Sequence, residues 1–204
     1  MKHLLLFIIL FSLSSCTAVR VVTHTPSTDA TKAPSGFYEV DPDHQSLILS
    51  VGHLGFSRFV ARFDRWSADL DFNAEQPETS SLHVTIEADS LSAPTQVMTD
   101  AVQGPDMLDT AKHPVISFAI DTIELTGETS GRATGTATIK DRSAAVEMDI
   151  EFIGGGRNPL TRLYTLGFSA QGTLNRRDFG LNAWPIAVTN EVEFEIDVEF
   201  RKKS

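Results

Sequence analysis

The chain has 204 residues, 41% of them apolar and 22% charged, and a formal net charge of −10. That length and apolar share suit one globular all-β domain of barrel or sandwich size, with no disorder forced on it. The acidic balance argues against nucleic acid, whose phosphates need a Lys/Arg surface, and against electrostatic docking on anionic lipid.

The N-terminus opens "MKHLLLFIILFSLSSC", a basic start at Lys2 followed by an apolar run from Leu4 to Leu13. The run is too short to cross a hydrocarbon core of about 30 Å, which takes about 20 residues, but it suits a signal peptide. Residues 1–15 are therefore read as a lipoprotein signal peptide. It ends in Leu13-Ser14-Ser15-Cys16, which resembles a bacterial lipobox, so Cys16 is the expected lipidation site and membrane anchor. Cys16 is the only cysteine, which leaves no intrachain disulfide, redox pair or cysteine zinc cluster. Thr17 stands where an Asp would signal retention in the inner membrane. The expected place is the cell envelope, at the periplasmic side of the outer membrane. Residues 16–35, the lipidated Cys and a stretch rich in Thr, Ser, Ala and Pro, read as a flexible tether.

Residues 36–204 form the folded part, and their pattern is almost wholly of period two. After a short opening strand "FYEVD", eight main runs lie near 46–53, 57–72, 81–89, 115–125, 131–140, 144–153, 163–175 and 188–201. In the last, Val192, Phe194, Ile196, Val198 and Phe200 share one face while Glu191, Glu193, Glu195, Asp197 and Glu199 take the other. Such alternation predicts antiparallel strands with one wet face. Within 57–72, Phe59, Ala61 and Phe63 share a face and so do Trp66, Ala68, Leu70 and Phe72, so the register flips near Asp64-Arg65, as at a β-bulge. A run that long must curl, and closure removes exposed edges, so the prediction is an eight-stranded antiparallel barrel.

Only "PTQVMTDAVQ", 94–103, reads as helix, with Val97, Ala101 and Val102 as a narrow apolar stripe placed at the barrel mouth or side. "GGGRNP", 154–159, reads as a hairpin loop. His24, His44, His53, His83 and His113 form no HxH, HExxH or Cys/His cluster, and no GxSxG is present. Neither a metal, a cofactor nor an enzymatic activity is expected. In "NRRDFG", 175–180, Arg176 and Asp178 pair with each other or cap the turn, or one arginine reaches inward to a polar ligand head.

Taken together, Tyr38-x-x-Asp41 with His44, "VGHLGFSRFVARFDRW" at 51–66, "DMLDTAKHPVISF" at 106–118 and "LGFSAQGTLNRRDFGL" at 166–181 resemble the YceI-like family. These are periplasmic polyisoprenoid-binding proteins with a lipocalin-like barrel. The small inward residues of the central runs, among them Ala68, Ala133, Gly135, Ala137 and Gly172, suggest an apolar cavity rather than a filled core. The resemblance implies that the cavity's ligand is an isoprenoid lipid with a polar head. Expected lining residues are Phe59, Phe63, Leu70, Phe72, Ile86, Phe118, Ile139, Met148, Phe168, Phe194 and Ile196, with His53, His113 and Arg176 at the mouth. The alternative is a structural or stress-related envelope protein whose cavity is incidental. A homodimer stays open at this level.

Overall fold

The computed structural model describes residues 24–203. The predicted signal peptide and Cys16 lie outside the described residues.

Ten strand segments build the wall: β1 (Gly36–His53), β2 (Ser57–Phe63), β3 (Trp66–Phe72), β4 (Ser81–Glu87), β5 (Leu91–Ser92), β6 (Val115–Leu125), β7 (Ser130–Ile139), β8 (Arg142–Arg157), β9 (Tyr164–Asn175) and β10 (Val188–Lys202). One edge of β1 pairs with β10, closing the sheet. The other edge pairs with β3 near its start and with β2 near its end, so β2 and β3 lie end to end as one wall. β5 and β4 face β2 and β3 in the same way, which reduces ten segments to an eight-walled antiparallel barrel.

The opening strand and the run at 46–53 are one strand, β1, whose pairing with β10 shifts between Val40 and Gln45. Asp41 holds that bulge: its carboxylate accepts from Asp43 N at 3.1 Å and meets His44 Nδ1 at 3.3 Å. The register flip at Asp64-Arg65 is present, and Phe59 and Phe63 before it and Leu70 and Phe72 after it all turn inward. Across the gap, Asp64 N donates to Ser90 O and Glu87 N to Arg65 O, so the interruption in one wall is matched in the next.

Helix α1 (Gln96–Gln103) begins at its cap Thr95, whose side chain accepts from Met98 N. Only Val102 of the expected stripe reaches the cavity; Val97 and Ala101 are exposed.

Two expectations fail near Gly154–Gly156. These glycines are not a loop but part of β8, where a bulge shifts the pairing with β9 between Phe152 and Gly154. Gly154 has φ +155°, and a Cβ there would stand 3.0 Å from Pro26 Cβ. The bare backbone lets the N-terminal segment pair with the strand: Ser27 and Gly155 exchange hydrogen bonds of 2.9 and 2.8 Å. The expected tether is therefore docked over its C-terminal part. A short 3-10 turn at Ala30–Lys32, the buried Ala33, and the bond from Tyr38 Oη to Pro34 O (2.6 Å) hold it to the barrel.

Candidate functional site

Inward side chains from every wall enclose a cavity of about 760 Å³, within the range of small-molecule sites. β2 and β3 contribute Phe59, Phe63, Leu70 and Phe72; β4, β6 and β7 contribute Ile86, Phe118 and Ile139. Met148 comes from β8, Phe168 from β9, and Phe194 and Ile196 from β10. All eleven apolar residues expected from alternation thus line one space. The small inward residues do less than expected to create it. A Cβ at Gly172 would lie 2.6 Å from Phe194 Cζ, and the Phe118 ring crowds Gly135, so those two positions are covered by rings.

The ends differ. One carries the β3–β4 loop, the β6–β7 turn and the docked N-terminal segment, and its lining includes Asp29, Glu75, Glu78 and Glu128, all exposed. Inside this end Phe168 stands 5.3 Å from Phe152, 6.0 Å from Phe200 and 6.5 Å from Phe72, ring centre to ring centre. The opposite end is covered by buried Met107 and Leu108, from the segment after α1, and by buried Leu181.

Arg176 lines this covered end and is only 2% exposed. Its Nε donates to Thr189 O at 2.9 Å, and its Nη1 donates to Leu181 O at 2.5 Å and Ala183 O at 2.8 Å. Every bond goes to a main-chain carbonyl and none to Asp178, so the turn is capped without an ion pair. Nη2 is buried with no hydrogen-bond partner among the described residues. Burial, and secondarily neighbouring Arg177, holds the guanidinium below the usual arginine range. A buried cation with one unused donor is a costly group to hold at a cavity wall.

His53 and His113 do not line the cavity. His53 closes β1, pairing with Ser57 and Val188, and its carbonyl accepts from Phe56 N in the β1–β2 turn. His113 Nδ1 lies 3.6 Å from Asp141 Oδ1, and Lys140 Nζ donates to Met107 O at 2.9 Å; together they tie the covering segment to the β7–β8 turn. Both histidines fix turns at the covered end. Asp41, His44 and Glu199 could bring three ligand atoms together, but the Arg201 guanidinium already stands 3.8 Å from Asp41.

Sequence reasoning missed Met107, Leu108, Leu181 and Trp184 as lining. They sit in irregular segments, where periodicity carries no signal.

The sequence pattern of the YceI-like domain matches residues 38–200. The chain belongs to the YceI-like family. The UPF0312 protein of Pseudomonas savastanoi pv. phaseolicola is 28% identical over 172 residues, 83% of this chain and 88% of the relative. The crystal structure of the Campylobacter jejuni YceI protein is 27% identical with a TM-score of 0.65, over 71% of this chain and 85% of that one. A polyisoprenoid binding domain from Saccharophagus degradans shares the fold at 10% identity, with a TM-score of 0.62 over 83% of this chain and 100% of that one. Several motifs of this YceI-like domain now have structural roles. Tyr38 and Asp41 seat the N-terminal segment and the β1 bulge, residues 106–113 cover one barrel end, and Arg176 ties down the loop before β10.

Proposed function

We propose that this YceI-like protein binds one isoprenoid-type lipid, its tail along the apolar cavity and its oxygen-bearing head at the covered end, beside Arg176. It acts without catalysis, as an envelope protein held to a membrane by acylated Cys16. The observation that carries the reading is the conjunction of a long apolar cavity of about 760 Å³ with one buried, incompletely bonded guanidinium at its covered end. The name of the Saccharophagus domain, polyisoprenoid binding, supports the same ligand class.

Each buried CH₂ contributes up to about 0.8 kcal/mol, so a tail of several isoprene units offsets the cost of association. Selectivity for the head then falls to Arg176, which favours a phosphate or phenolic oxygen. The acidic residues at the opposite end disfavour an anionic head there and so set one orientation.

Native mass spectrometry of the protein isolated from cells, followed by organic extraction of the bound species, tests this. A co-purifying prenyl compound is the expected result. An empty barrel that also takes up no added prenyl lipid would leave the structural reading.

A further inference from the structure

The covered end of the barrel carries two loop tips that expose large apolar side chains. Phe56 in the β1–β2 turn is 89% exposed and Ile186 before β10 is 90% exposed, and beside them Leu54 and Trp184 are also exposed. The tips are joined, since Leu54 N donates to Ala187 O at 3.0 Å. Neither is loose: Phe56 N donates to His53 O, and Ala187 N and Val188 N both donate to Trp184 O.

Leu54 and Trp184 hold φ values of 50° and 52°. A branched or bulky residue in the left-handed region is strained and persists where the surroundings require it. Here the strain is spent on presenting apolar side chains to the outside. Residues 52–58 and 181–188 contain no Asp or Glu, in a chain with net charge −10. Trp184 supplies the link to function. It is 42% exposed and also lines the cavity, beside the buried Met107, Leu108 and Leu181, so it reaches from the tip to the interior.

We infer that this tip docks into a lipid bilayer and is where the cavity loads. The inference rests on the lipid-binding reading above. A bilayer fits because Phe, Leu, Ile and Trp on two joined, hydrogen-bonded tips, without acids, can enter an interface in the way apolar faces and aromatic anchors do. At the other barrel end the cavity rim itself carries exposed Asp29, Glu75, Glu78 and Glu128, whereas at the covered end the exposed acids Asp106, Asp141 and Asp178 lie on segments other than the two tips. The docked N-terminal segment also occupies the acidic end.

The experiment uses the full chain isolated from cells and a fluorescent prenyl phosphate. One arm measures the loading rate from phosphatidylcholine vesicles, the other the equilibrium affinity for the same probe dispersed in detergent. Phe56 and Ile186 do not line the cavity. The double variant Phe56→Asp/Ile186→Asp should slow loading from vesicles at least about tenfold, since each apolar insertion is lost. Its affinity in detergent should stay within about twofold of the wild type. Loading from vesicles at the wild-type rate would overturn the inference. So would a dimer that the double variant converts to monomer at unchanged loading rate, which would make the tip a self-association surface. No binding of the probe by the wild type in detergent would instead remove the lipid reading, and this inference with it.

Discussion

Arg176 carries two loads that separate experimentally. Its three carbonyl bonds hold the segment from Leu181 to Thr189, so Arg176→Ala should cost about 3 kcal/mol of stability, read from urea midpoints. At temperatures where the variant stays folded, affinity for phenolic or phosphate heads should fall at every tail length, while affinity for a prenyl hydrocarbon should not. Equal loss for all heads would assign Arg176 to structure alone. Tyr38 offers a pH test. Burial, and secondarily Tyr164, raises its pKa above the ordinary value, so the folded chain keeps the phenol neutral where the unfolded chain ionises near 10. Its stabilising effect is therefore complete below about pH 10 and is lost as pH rises above it. Tyr38→Phe should lose about 1 kcal/mol at pH 7, with the bond to Pro34 O, and should show a shallower decline above pH 10. Parallel stability curves would contradict the assignment. At this scale the sequence was legible for strand residues and not for polar ones. His53 and His113 sit in motifs close to the cavity end, but which way a turn histidine faces depends on partners remote in the chain, such as Asp141 and Val188.

Strands β9 and β10 show how an element is read and where the reading stops. Alternation places Phe194 inward and Glu193 outward, and the register Phe194↔Gly172 sets the ring over a glycine. Phe194→Ala should cost about 3 kcal/mol, because the ring packs on Gly172 on one side and borders the cavity on the other. Gly172→Ala should cost about 1–3 kcal/mol, since its Cβ would meet Glu147 O at 2.5 Å. Glu193→Ala should stay within about 0.5 kcal/mol, its partner Arg58 being half exposed. Thermal or urea unfolding ranks the three, and a larger loss at Glu193 than at Phe194 would reverse the faces. The glycine run in β8 was misread because three glycines look alike in a loop and in a strand that another backbone must approach. Only the approach of Pro26 and Ser27 tells them apart, and that contact joins segments more than a hundred residues distant in the chain.

For the molecule as a whole, period two over eight walls was enough to foresee a closed antiparallel barrel and its apolar lining. A strand's face is a local property, and closure follows from having no edge left to expose. What covers each end was not legible, since residues 104–114 and 176–187 have no period and their positions follow from contacts with distant turns. On the function proposed above, the cavity is a tail-binding space with a defined length. Near the acidic end Phe168 packs among Phe72, Phe152 and Phe200, so Phe168→Trp should shorten the space available. The most direct measurement is calorimetric affinity for prenyl phosphates of increasing tail length, with the wild type and Phe168→Trp side by side. Affinity should climb with each isoprene unit and then level off, with the plateau reached at a shorter tail in Phe168→Trp. Affinity independent of tail length in the wild type would contradict it.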